Sequence, residues 1–155
     1  MTLADLIQPG RVVAEMRSDE QIPAIIELVD HLVTSGALSA DLREAAVDAL
    51  KNREEQRSTG IGGGVAIPHC FLPGLEEVVA VFGRSSQGID FCSVDHAPVH
   101  FVVLFMVPEA QHTLHLKTLA AIAKVLNSAD VRSRLSAAAD ETDLLEVLSP
   151  HNAAA

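Results

Sequence analysis

Among the seven histidines and two cysteines of this chain, His69 is set apart by what precedes it. The run Ser58-Thr59-Gly60-Ile61-Gly62-Gly63-Gly64 places four glycines within five positions. Glycine opens backbone conformations closed to other residues and lets a partner come close. Val65-Ala66-Ile67 then reads as a short buried strand. Pro68 ends it by removing a ladder donor, which leaves His69 at the strand end. A glycine-rich approach that delivers one imidazole suits a phosphate or a metal. Further along, His112 and His115 stand three apart on a predicted helix and so share a face. Arg53 and Arg57 lead directly into the glycine run.

Three chemistries compete for these residues. Nucleotide binding fails on detail. A P-loop needs Lys and Ser or Thr after its last glycine, where this chain has Val65 and Ala66. A dinucleotide loop follows a strand and opens a helix, whereas these glycines follow a helix and precede a strand. Metal binding has ligand types in His69, Cys70, His112 and His115. No carboxylate follows in a zinc pattern, however, and Cys70 points away from His69 if the chain stays extended. Phosphohistidine chemistry asks for a neutral imidazole that attacks a phosphoryl group and holds it. It needs N–H donors and a cation on the equatorial oxygens. Glycine N–H groups in a nest and Arg53 or Arg57 can supply these. His115, near its helix N-terminus, sits where the dipole favours an anion and keeps an imidazole neutral.

Composition narrows the class. The chain has 155 residues, 48% hydrophobic and 21% charged, which suits a globular unit with a sizeable core. Aromatics are 3%, with no Trp or Tyr, so the core is aliphatic and base stacking is disfavoured. A net charge of −10 argues against binding nucleic acid. Two cysteines make no disulfide framework. No apolar run approaches the roughly 18 residues needed to span a bilayer. The N-terminus has no signal-peptide pattern. A cytoplasmic location with free thiols is expected.

The elements that must position these residues can be read in order. Leu3 to Ile7 is a helical turn stopped by Pro9-Gly10, and Arg11 to Met16 is a first strand. Ser18 with Gln21 makes a capping box for a helix to about Thr34, with Ile22, Ile25, Ile26, Val29, Leu32 and Val33 inward. Ser39 caps a second helix to about Gln56, with Leu42, Ala45, Ala46, Ala49 and Leu50 inward. Its charged end, Lys51 to Arg57, reads as solvated. A loop through Pro73-Gly74 follows His69. Strands are expected at Val78–Gly83, at Ile89–Cys92 and, most clearly, at Val99–Val107, which is apolar on both faces and so central. A helix from Glu109 to about Leu126 has Leu116, Leu119, Ile122, Ala123 and Leu126 inward. Ala129–Ala138 and a helix capped by Asp140 complete the order. It implies an α/β sandwich with a mixed sheet. Residues 1–150 read as one domain and 151–155 as a frayed tail.

Arg53-Glu54, Thr59-Gly60-Ile61-Gly62 and Val65-Ala66-Ile67-Pro68-His69 together resemble the active-site signature of a known family. It is the IIA domain of the bacterial phosphoenolpyruvate-dependent sugar phosphotransferase system. The type is the fructose/mannitol one, which includes the nitrogen-regulatory IIA protein. His115-Leu116-Lys117-Thr118-Leu119 resembles that family's His-Leu helix start. The resemblance runs over roughly Leu6 to Leu148. It implies a three-layer α/β/α sandwich with a mixed sheet of four to five strands. His69 matches the histidine that accepts the phosphoryl group from HPr, at Nε2. His115 matches the second histidine, Arg53 the nearby arginine, and Thr59, Gly60, Gly62 and Gly64 the loop lining the site. Neither metal nor organic cofactor is implied.

The resemblance leaves two roles. A nitrogen-regulatory protein acts on partner proteins through its phosphorylation state. A sugar-transport IIA passes the phosphoryl group to a IIB cysteine and touches the membrane only through a transporter complex. The absence of a fused IIB, IIC or HPr segment leans toward regulation. Cys70 reads as a small filler, His100 as structural, and His112, His31 and His151 as surface residues.

Overall fold

The computed structural model describes residues 2–149. The expected frayed tail therefore lies outside the described residues. From the N-terminus come α1 (Leu3–Leu6), β1 (Val12–Val13) and α2 (Gln21–Thr34). A 3-10 turn at Ala40–Leu42 leads into α3 (Arg43–Gln56). Then follow β2 (Gly60–Gly62), β3 (Val65–Ala66), β4 (His69–Leu72), β5 (Val79–Ile89) and β6 (Val99–Pro108). The chain closes with α4 (His112–Leu126), α5 (Ala129–Ala137) and α6 (Glu141–Leu148).

The strands form one mixed sheet in the order β1-β5-β6-β3-β2, with β4 also on β6. As expected, β6 is central. It is antiparallel to β5 and parallel to β3 and β4. Its side chains alternate between two cores. Val102, Leu104 and Met106 pack with α2 and α3 residues such as Ile25, Leu28 and Leu50. Phe101, Val103, Phe105 and Val107 pack with Leu3, Ile122, Leu135 and Leu144 from α1, α4, α5 and α6. Each large apolar side chain so buried contributes about 1.5–3 kcal/mol on leaving water. The mixed sheet with helices on both faces is thus the expected architecture. It has six strands rather than four to five, because β2 and β4 are short segments with little strand signal of their own.

β4 corrects one local reading. The first strand segment ends before Pro68 as read, but pairing resumes at His69, so a strand and not a loop follows the proline. Val65 and Ala66 pair with Phe101 and Val102, and after the break at Ile67-Pro68 His69 pairs with Phe105 in the same register. The Phe105 N–H donates to the Pro68 carbonyl at 3.0 Å, so the ladder is bridged across the proline. Likewise Ile89 ends β5 rather than starting a separate strand.

Helix details differ where a tertiary partner outbids a local one. The capping box at Ser18 does not form. Glu20 is the N-cap of α2 without a side-chain bond. The Ser18 N–H donates to Glu27 Oε1 instead, and Gln21 reaches Glu54 at 2.6 Å. Gly36 does close α2, at φ +82°, where glycine carries no Cβ penalty. Ala45 and Leu116, read as inward, are exposed, Leu116 at 64%. Asp140 caps α6 as read, accepting from the Asp143 N–H. Arg84 is buried on β5, donating to the carbonyls of Ala14, Leu135 and Ala138, and so closes the end of α5.

Candidate functional site

His69 opens β4, and its pairing with Phe105 puts both side chains on the same face of the sheet. The rings lie parallel, 5.0 Å between centroids and 8° between planes. The alternation sends Cys70 to the opposite face, into the core beneath α2 and α3. His69 Nδ1 lies 2.7 Å from the Ile67 carbonyl oxygen. A carbonyl only accepts, so Nδ1 carries the proton and donates. In the neutral ring Nε2 is then left with its lone pair, the form needed for nucleophilic attack. Burial holds the imidazole below its usual pKa, and the charges of His115 and Arg53 lower it further against the raising effect of the Ile67 bond.

His115 comes from the first turns of α4 and faces His69, with ring centroids 4.9 Å apart and planes tilted by 32°. Its Nε2 is buried and has no hydrogen-bond partner among the described residues. Such an orphaned polar atom in a site calls for a ligand or a water. Burial first, then His112 and Arg53, hold its pKa down. Phe71, two residues beyond His69 on the same face, packs against both His112 and His115, at 4.9 and 5.1 Å.

Arg53 reaches the site from α3 on the other side of β4. With Ala49, Asn52, Gln56, His69, Cys70, Phe71 and His115 it lines an open cleft of about 300 Å³. Its Nη1 donates to the Arg57 carbonyl at 2.8 Å, which fixes the guanidinium while leaving other N–H groups for an anion. Arg57 itself is exposed and outside this lining. The structure therefore brings His69, His115 and Arg53 together around one cleft. Two neutral imidazoles and a fixed cation can accept and hold a phosphoryl group.

The expected phosphate loop has a different location. Thr59, Gly60, Gly62 and Gly64 are not in the cleft lining. They build the β2–β3 hairpin, packed beside Ser93, Asp95 and His100. The donors of Thr59 are already committed: both its N–H and its hydroxyl donate to Glu54. The Gly60 N–H donates to Ser58 Oγ and that of Gly63 to Asp95. These groups support the site from behind rather than presenting a nest to a ligand.

Glu54 was missed in the sequence. It is buried at 6% exposure inside the charged helix end that reads as solvated. The only hint available was its position in the Arg53-Glu54 signature. Burial raises its pKa, against the lowering effect of the bonds from Thr59 and Gln21. His100 is structural as read, its Nδ1 donating to the Ser85 carbonyl at 2.8 Å. His112 is exposed as read, but its ring closes one side of the aromatic cluster.

The mixed sheet thus holds one histidine beside a second histidine and an arginine, a set able to meet an anionic group. Residues 5–150 match the family described as phosphoenolpyruvate-dependent sugar phosphotransferase system, EIIA 2, and the chain belongs to it. It is 34% identical over 149 residues to a nitrogen regulatory protein of Bradyrhizobium diazoefficiens, covering 96% of this chain and 95% of that one. It is 36% identical over 140 residues to a fructose-specific EIIA component of Haloferax volcanii, covering 87% and 90%. Against the fructose-specific EIIABC component of Bacillus subtilis it is 32% identical over 152 residues, 98% of this chain but 24% of that protein. The crystal structure of nitrogen regulatory protein IIA-Ntr from Neisseria meningitidis superposes with a TM-score of 0.84 at 24% identity, covering 95% and 99%. No helix among the described residues is long and apolar enough to cross a membrane.

Proposed function

We propose that this chain accepts a phosphoryl group from the phosphohistidine of an HPr-type carrier on Nε2 of His69. One observation carries the reading: the Ile67 carbonyl accepts a hydrogen bond from Nδ1–H, so the Nε2 lone pair is free beside His115 and Arg53. In the step, that lone pair forms the new N–P bond. The N–P bond of the donor breaks, and its electron pair returns to the donor imidazole. The product is a tele-phosphohistidine that keeps the Nδ1–H···O bond to Ile67. Arg53 and the Nε2–H tautomer of His115 meet the equatorial oxygens, where charge is greatest.

The role downstream is regulatory: the phosphorylation state of His69 controls partner proteins, as the likeness over nearly the full length of a nitrogen regulatory protein supports. A second reading, delivery of the phosphoryl group to a IIB cysteine for sugar uptake, has support of the same kind from the fructose-specific EIIA component. In either case residues 1–150 act as one unit in the cytoplasm, reaching a membrane only through a transporter complex.

The test is incubation with phosphoenolpyruvate, enzyme I and HPr. An acid-labile, base-stable phosphate is expected on the wild type, and none on His69→Ala. Normal labelling of that variant would overturn the assignment. Transfer onward to a IIB domain separates the two roles.

A further inference from the structure

The buried carboxylate of Glu54 touches neither the cleft nor His69, yet it begins a continuous series of hydrogen bonds that ends on the nucleophile's ring. Glu54 Oε2 accepts from the Thr59 N–H at 3.0 Å, and Oε1 accepts from the Thr59 hydroxyl. The Thr59 carbonyl accepts from the Ile67 N–H at 3.1 Å. The Ile67 carbonyl accepts from His69 Nδ1 at 2.7 Å. Gln21 of α2 braces the carboxylate from the other side, at 2.6 Å. The same carboxylate fixes the turn between α3 and β2. Within that turn stands the Arg57 carbonyl, which aims the Arg53 guanidinium.

We infer that Glu54 is the positioning residue of the site, setting the tautomer and orientation of His69 through Thr59 and Ile67 and the direction of Arg53 through Arg57. The inference deepens the phosphoryl-carrier reading and rests on it. Physically, the carboxylate holds Thr59 through its N–H and hydroxyl, and the Thr59 carbonyl holds Ile67 through its N–H. Fixing Ile67 in this way keeps its carbonyl on Nδ1, so Nδ1 stays the donor and Nε2 stays the nucleophile. A carboxylate is needed because two Thr59 donors and one Gln21 donor converge on it. A Gln at position 54 carries no charge, and its NH2 group meets the Thr59 hydroxyl only if that hydroxyl turns from donor to acceptor.

The discriminating experiment compares the wild type with Glu54→Gln, Thr59→Val and Thr59→Ser. Three readings are taken: the thermal midpoint, the imidazole 15N shifts of His69 by long-range proton–nitrogen correlation, and single-turnover phosphorylation at varied phospho-HPr. Glu54→Gln is expected to mix the His69 tautomers. It should lower the maximal rate about tenfold, the scale of a misplacement that leaves the reacting groups present. Half-saturation by phospho-HPr stays unchanged. Thr59→Val is a smaller step in the same direction, and Thr59→Ser, which keeps both donors, restores wild-type values. If Glu54→Gln does not fold, the isosteric Thr59→Val carries the test alone. A folded Glu54→Gln or Thr59→Val with wild-type tautomer and maximal rate overturns the inference. Failure of the wild type to accept phosphate refutes the carrier reading, and the tautomer shift still tests Glu54.

Discussion

The ring of His69 lies flat against that of Phe105, 8° from parallel, because β4 resumes its pairing with β6 after Pro68 in an unbroken register. His69 thus rests on a side chain of the central strand, not on a loop. Phe105→Leu removes that flat support from a fully buried position. A loss of about 1–1.5 kcal/mol of stability is expected in urea unfolding, in the range for a swap that nearly conserves volume. The phosphorylation rate falls alongside it. An unchanged rate would show that the stack holds nothing the reaction needs.

His115→Ala leaves the chain folded, because the side chain is only half-buried and its Nε2 has no hydrogen-bond partner among the described residues. Slower phosphorylation and a shorter-lived phosphohistidine are the expected results, read by phosphorus NMR over time. If rate and lifetime both match the wild type, His115 has no part in holding the phosphoryl group.

The titration of the site has a definite sign. His69 and His115 both have pKa values held below the ordinary 6.5, chiefly by burial. The folded chain therefore binds their protons less tightly than the unfolded chain. Their contribution to stability is complete above pH 6.5 and is lost as pH falls from 6.5 through the lowered values. Glu54, raised above the ordinary 4.5, acts oppositely: its contribution is greatest below pH 4.5 and is lost as pH rises through the raised value. Urea midpoints measured against pH should flatten below 6.5 in His69→Gln/His115→Gln, and the slope just above 4.5 should vanish in Glu54→Gln. A double-histidine variant with the wild-type slope contradicts the assignment.

The two cysteines should differ in reactivity. Burial pushes the Cys70 thiol up to about 12, whereas Cys92 is exposed. Thiolate is the nucleophile in alkylation. Iodoacetamide at pH 8 is expected to modify Cys92 alone in the folded chain and both residues in urea, as peptide mass mapping will show. Rapid modification of folded Cys70 would mean that the reagent reaches its thiol from the cleft it lines.

Gly60→Ala is expected to cost about 1–3 kcal/mol, the range for overpacking. A Cβ there would meet the Ser93 backbone Cα at 3.0 Å, and neither backbone can give way. Gly10→Ala provides the contrast, since nothing lies within 4 Å and only its φ of +89° is penalised. No loss in Gly60→Ala would show that the hairpin moves away from Ser93 without cost.

What was legible in the sequence were the strong local patterns. Val99 to Val107 is apolar at every position but His100, and that alone identifies a central strand with cores on both faces. The His69 signature and the histidines of α4 name the site. Glu54 was illegible because a charged run at a helix end looks the same whether or not one member turns inward. Only Thr59 and Gln21, brought in by tertiary packing, decide it. Leu116 misled because it continues the apolar spacing of Leu119, Ile122 and Leu126. The face that packs runs instead through Leu114, Thr118, Ile122 and Leu126, with His115 turned toward the cleft. Pro68 looked like a terminator since periodicity does not reveal that β6 can bridge a missing donor.

The Ile67 carbonyl lies just past Thr59, where pairing with β2 runs out, at a place where a sheet edge would offer an acceptor to any passing strand. The His69 ring covers that acceptor. Phosphorylation at Nε2 leaves Nδ1–H in place, so the edge stays blocked in the loaded and the empty protein alike. The ring that the proposed transfer would load thus also keeps that carbonyl from a neighbouring strand.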